Sequence, residues 1–257
     1  MPAKTTKKIG SENETDLDLL AMAAHPDDVE LTCGGTLIKM ARQGYRVGIV
    51  DFTSGEMGTR GSVEIRRRES AAAAKALGVV HRETLGLPDA HLEVRMDYRL
   101  AVARRIRALR PHTVILPYWE GRHPDHYTTA QLGHEGCFLA GLKRLDLEGQ
   151  PFRPFKILYA TSYDRTVRPS FVVDITREFA QRTKAIMAYV SQFQPTPSDK
   201  RFDKRSKVFI PLDRLVHRVE LTARFYGELI GVKYAEPFLQ KEVMQFDDVV
   251  KLPVRSI

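Results

Sequence analysis

Cysteine is scarce: the 257 residues hold two, Cys33 and Cys137. Two lone thiols build no disulfide framework and no Cys-rich zinc motif, and they fit a reducing compartment. Long apolar runs are missing as well. No segment approaches the ~18 consecutive apolar residues of a membrane-spanning helix. The lysines near the N-terminus (Lys4, Lys7, Lys8) have no apolar stretch behind them of the kind a secretory leader needs. The expectation is a soluble, cytoplasmic protein with no membrane partner. Internal repeats and low-complexity tracts are absent, and no shift in composition marks a domain boundary. Acidic residues are outnumbered, 32 against 40 basic, for a net charge of +8. That excess can attract nucleic acid, an anionic membrane or an acidic small molecule. The basic residues are scattered, however, apart from the N-terminal lysines and a run near Lys200 to Lys207. No aromatic-studded basic stripe accompanies them, so nucleic acid is not an expected partner.

What is present can build a core: 43% of the residues are hydrophobic, enough for one large α/β domain. Residues 1–15 read as a polar, lysine-rich disordered tail, and 16–257 as a single domain. The chain is organised around Leu17 to Gly35, LDLLAMAAHPDDVELTCGG. An apolar run ends abruptly at a histidine, a proline and two aspartates, the signature of a buried strand bounded by a turn. Pro26 steers His25 away from the helical region, so His25 sits at or just past the strand end. Helical spacing follows from Val29, stopping at Gly44.

The same alternation continues down the chain. Strands are expected at 46–52, 79–87, 113–118, 155–162 and 171–173. Helices are expected from a Ser62 cap to Leu77, at 98–110, from the His126 region to about Leu142, at 175–193 and at 212–230. Residues 53–62, with Gly55, Gly58 and Gly61, read as a flexible loop. Residues 194–207, rich in Pro, Lys, Arg and Asp, read as an exposed excursion. Strands alternating with helices predict an α/β fold: a single Rossmann-like domain with a doubly wound, mostly parallel sheet and helices on both faces.

Two strand ends carry related clusters, His25-Pro-Asp-Asp28 and His123-Pro-Asp-His126. Alone, either is ordinary turn chemistry, since Asp is a common helix cap. Together they differ, because right-handed parallel connections bring both to one edge of the sheet, with adjacent strands ~5 Å apart. Imidazoles and carboxylates so crowded would repel and desolvate one another unless a cation joined them. Mixed nitrogen and oxygen donors without thiolate suit Zn²⁺ or Fe²⁺. A catalytic zinc takes three protein ligands: His25, Asp28 or Asp27, and one of His123 and His126. Spacing does not choose within either pair.

AHPDDVELTCGGTL, with DFTSGEMGTRGSVEIRRRE, GRHPDH, SQF at 191–193 and GVKYAEPF at 231–238, resembles the LmbE-like (PIG-L-like) zinc deacetylases. Within them the chain is most similar to the bacillithiol-pathway enzymes that deacetylate N-acetylglucosaminyl-malate. The resemblance implies His25, Asp28 and His126 as metal ligands and Asp27 as general base. It implies a protonated His123 as stabiliser of the tetrahedral intermediate and Asp125 as the partner that orients or charges His123. Arg66 and Arg122 match substrate-holding positions, and Arg60 lies in the same loop as the glycines. The implied partner is a small amino-sugar substrate carrying a carboxylate, which guanidinium groups would grip bidentately; assembly as a homo-oligomer is compatible with it. Competing readings are another N-acetylglucosaminide, an inositol glycoside or a chitooligosaccharide. From a different class comes a basic nucleic-acid-binding α/β protein whose clusters are only turns, distinguished by affinity that falls with salt.

Overall fold

The computed structural model describes residues 16–164, 166–193 and 212–254. The N-terminal tail and the 194–207 excursion lie outside the described residues. In chain order the elements are β1 (Leu19–Ala23), α1 (Asp28–Thr32), α2 (Gly34–Arg42), β2 (Val47–Asp51), α3 (Val63–Leu77) and β3 (His81–Thr84). Then come α4 (Met96–Leu109), β4 (Thr113–Pro117), α5 (Pro124–Ala140), β5 (Lys156–Ala160) and β6 (Phe171–Asp174). The chain closes with α6 (Phe179–Met187), α7 (Val190–Phe193), α8 (Leu212–Glu228), β7 (Ala235–Leu239) and a 3₁₀ turn at Val249–Lys251.

β1 runs through the middle of the sheet with all its residues buried. Side chains alternate across a strand, so β1 feeds two cores. Leu20, Met22 and Ala24 pack with Phe52, Val102, Ile106 and Leu132 on the α4–α5 side. Leu19, Ala21 and Ala23 pack with Val29, Leu37, Ile38, Leu77 and Ala185 on the other. A strand buried on both faces has no polar alternation, which is why it reads as a continuous apolar run. Ser62 caps α3 by accepting the Ile65 N–H (3.3 Å), and Gly78 ends it in the left-handed conformation (φ 74°).

The sheet has seven strands in the order β3-β2-β1-β4-β5-β7-β6. β1 to β5 are mutually parallel, as expected of a doubly wound fold. β7 is the departure: it runs antiparallel between β5 and β6. Its Pro237 and its buried Glu236 conceal it as a strand, since proline gives the ladder no N–H. The Pro237 carbonyl nevertheless accepts the Thr161 N–H (3.2 Å).

Two helices expected to be continuous are broken. The helix from Val29 divides at Cys33 into α1 and α2, leaving α2's first amides unpaired within the helix. Glu236 takes them: its carboxylate accepts the N–H groups of Gly35 (2.8 Å) and Thr36 (2.7 Å) and the Thr36 hydroxyl (2.6 Å). The stretch 175–193 is helical only from Phe179 and breaks after Met187. In that break the buried Tyr189 donates its hydroxyl to Glu30 Oε1 (3.0 Å).

Candidate metal centre and active site

Strand order reverses between β1 and β4, which lie side by side with Leu20 opposite Val114 and Ala21 opposite Ile115. Open α/β sheets bind ligands at such a switch point, beyond the carboxyl ends of the strands. The two His-Pro-Asp clusters leave those two strands there. They share a cavity of about 920 Å³ that His25, Asp27, Asp28, His123 and His126 all line.

The adjacent aspartates part company. Asp27 has φ 115° and ψ −24°, a left-handed conformation that costs ~1–3 kcal/mol for a non-glycine residue. The sharp turn sends successive carboxylates to different neighbours. Asp28 lies between two imidazoles: Oδ2 is 3.2 Å from His25 Nδ1, and Oδ1 is 3.2 Å from His126 Nε2. It also accepts the His25 backbone N–H (3.0 Å) and the Tyr163 hydroxyl (2.9 Å). Although burial opposes its charge, these imidazoles hold its pKa well below the usual carboxylate range. Asp27 instead faces Arg66, whose Nη1 donates to its Oδ2 at 3.3 Å and also bonds the Pro26 carbonyl. Burial raises Asp27 to about 7, with Arg66 opposing the rise.

His25 is held from behind. Its Nε2–H donates to Asp89 Oδ1 (3.0 Å) and Asp125 Oδ2 (3.3 Å). Burial disfavours its charge, but Asp28 and Asp89 outweigh that and raise its pKa to about 11. The carboxylate of Asp125 bonds His25, while its backbone N–H donates to His123 Nδ1 at 3.3 Å as the cap of α5 and its charge raises the His123 pKa. Partial burial, then the neighbouring His126 and His25, lower the pKa of His123, while Asp28 and Asp125 oppose that shift. With Nδ1 accepting, the neutral ring carries its hydrogen on Nε2.

The three arginines separate. Arg122 lines the cavity and is exposed. Arg66 lines it too, but is engaged with Asp27 and underlies the glycine loop. A Cβ on Gly55 (φ 67°) would come within 3.3 Å of the Arg66 guanidinium carbon, so glycine lets the loop lie on that side chain. Arg60 is not among the residues lining the cavity; its carbonyl accepts from Gln192 Nε2 (2.9 Å). Sequence reading passed over Asp89 and Tyr163. Asp89 follows Pro88 just past β3, a strand-end position at the same sheet edge, yet the pair reads as a simple turn. Tyr163, stacked on His126 at 5.3 Å, follows β5 with no motif around it.

The donor set fits a divalent cation. Since Nε2 of His25 gives its hydrogen to two carboxylates, the Nδ1 lone pair of the neutral ring faces Asp28, an arrangement only a proton or a metal can stabilise. Metal-binding histidines are held in this way through their other nitrogen. His25, His123 and His126 also each bring a ring nitrogen within 4.8 Å of the others.

A family model described as PIG-L, GlcNAc-PI de-N-acetylase, matches residues 20–137. The diacetylchitobiose deacetylase of Thermococcus kodakarensis is 32% identical over 232 residues, covering 85% of this chain and 80% of its own. A probable N-acetyl-alpha-D-glucosaminyl L-malate deacetylase of Bacillus anthracis is 25% identical over 192 residues, 68% of this chain and 81% of its own. Among solved structures, a conserved protein from Thermus thermophilus is 38% identical with a TM-score of 0.79, covering 90% of this chain and 98% of its own.

Proposed function

Since the chain belongs to the PIG-L family of deacetylases, amidohydrolases that remove N-acetyl groups, we propose that it hydrolyses the acetamide of a small N-acetylglucosamine-containing molecule at a zinc site. The observation that carries this reading is the division of labour at residues 27 and 28: one carboxylate among imidazoles, its neighbour apart on an arginine, both lining one cavity.

His25 through Nδ1, Asp28 and His126 through Nε2 would hold the metal; the same donors accept Fe²⁺. Zinc there supplies Lewis acidity, acidifying water towards a pKa of ~7. Asp27 accepts the proton of the attacking water as the new C–O bond forms. A carboxylate held near 7 is suited to that role and to returning the proton to the departing amine. As the C–N bond breaks, the products are acetate and a free amino sugar. His123 donates from Nε2 to the carbonyl oxygen as charge develops there. Asp89 and Asp125 keep His25 oriented.

A cavity of about 920 Å³ admits more than one sugar ring. Two substrates are to be compared directly. N-acetylglucosaminyl-malate, in bacillithiol biosynthesis, would place carboxylates against Arg122 and against Arg218, which α8 contributes to the same cavity. Diacetylchitobiose is favoured by the relative of higher identity. The test is acetate release from both, and from a glucosaminyl-inositol, by zinc-loaded protein. Turnover of malate conjugate that collapses in Arg122→Ala supports the first; turnover of chitobiose indifferent to Arg122 supports the second. No acetate from any N-acetylglucosaminide would overturn the reading.

A further inference from the structure

Asp89 divides its two oxygens between the site and the surface. Oδ1 accepts the Nε2–H of His25 (3.0 Å), while Oδ2 accepts the backbone N–H of Met57 in the glycine loop (2.9 Å). The grip is returned from the loop: Glu56 Oε1 accepts the backbone N–H of Asp89 (2.7 Å). Asp89 is 6% exposed, whereas Glu56 and Met57 are on the surface. The next residue, Ala90, adopts a left-handed conformation (φ 61°) and donates its N–H to Asp125 Oδ2 (2.9 Å), the other carboxylate behind His25. A strained turn thus brings two supports to the back of one imidazole and ties one of them to a surface loop.

We propose that Asp89 is a positioning residue that couples the 54–62 loop to His25, so that metal uptake and docking of this loop strengthen each other. The inference rests on the metal site proposed above. The coupling is mechanical. With the loop docked, the Met57 N–H holds Oδ2 of Asp89 while the Glu56 carboxylate anchors the Asp89 backbone N–H, and together they fix how the Asp89 carboxylate faces His25. That orientation fixes the His25 ring, and the ring fixes the direction in which Nδ1 presents its lone pair. With the loop lifted, the Asp89 carboxylate loses the Met57 N–H that holds its second oxygen, and one of the two rear supports of the imidazole is less firmly oriented. The docked state therefore binds metal more tightly, and by linkage the metal favours the docked state by the same factor. The device gives the enzyme a site whose metal is held hardest when the loop beside it is in place.

The test uses the full chain and two readouts other than turnover: zinc affinity by competition with a chromophoric chelator, and hydrogen exchange of the Met57 amide with and without zinc. Zinc should slow that exchange about fivefold or more in the wild type. Asp89→Asn leaves one acceptor oxygen for two donors. It should lower zinc affinity ~10–100-fold and abolish the zinc dependence of Met57 exchange. Glu56→Ala touches nothing at His25 and is a surface change that should fold normally. It should speed Met57 exchange and still weaken zinc about fivefold. If Glu56→Ala binds zinc as the wild type does, or if zinc leaves wild-type Met57 exchange unchanged, the coupling is overturned while the metal site stands. A wild-type protein that takes up no zinc overturns both.

Discussion

Asp27 and Asp28 are told apart by their amides. Asp27→Asn keeps the shape but cannot accept a proton, so it should retain zinc while losing ~10²–10⁴-fold in kcat. Asp28→Asn removes the carboxylate charge shared by His25 and His126 and, on the ligand set proposed above, should weaken zinc itself. Zinc content and kcat measured on both variants check the pair; metal lost from position 27 and kept at position 28 would reverse the roles. Arg66 gives a second test through pH. As the proposed base, Asp27 acts deprotonated, so kcat/KM should fall as pH drops through its pKa, and Arg66 favours the charged form. Arg66→Gln should therefore move the acid limb of the profile upward by ~1–3 units. An unmoved limb would dissociate Arg66 from the base. Residues of this kind were legible where a proline or a doubled carboxylate interrupts an apolar strand, as at His25 and His123. Asp89 was not, because Pro88-Asp89 has the composition of any turn and only the folded loop shows what its carboxylate reaches.

Helix α2 starts on a residue two hundred positions away in the chain, Glu236. Wholly buried, that carboxylate also pairs with Arg182 Nε (3.1 Å), which in turn bonds the carbonyls of Glu30 (3.0 Å) and Leu31 (2.6 Å) at the end of α1. The C-terminal strand thereby fastens the short helix that carries Asp28. Glu236→Ala would leave a buried guanidinium and two amides without their partner and should cost ~3–5 kcal/mol. Urea unfolding of the metal-free chain measures it; a loss below ~1 kcal/mol would mean that water replaces the carboxylate. Element types and order from β1 to α5 were readable, apart from the break at Cys33, because apolar runs and helical spacing alternate cleanly there. β7 was not, because its proline and its buried glutamate are tolerated only through partners far away in sequence, and local pattern carries no trace of them.

At the scale of the whole protein, loading with metal is also a titration. His25 in the metal-free fold keeps its proton up to about pH 11. Its pKa is raised on folding, so the stability it contributes is fully present below about pH 6.5 and is lost as pH climbs through 11. Zinc must displace that proton. Binding near pH 8 should release about one proton, and affinity should rise about tenfold per pH unit. Calorimetry in buffers of differing ionisation enthalpy reads the number directly; zero release would remove Nδ1 of His25 from the ligand set. The placement of β7 has a consequence of another kind, in the order of assembly. β1 to β5 can pair as soon as they are made, but β6 has no neighbour except β7, the last strand synthesised among the described residues. Until Ala235–Leu239 emerges, the growing chain carries an open β5 edge, a template for pairing with other chains. Chains ending at Tyr234 should scatter light on refolding where the full chain does not. Among the described residues, the last strand to be made is the one that covers the β5 edge.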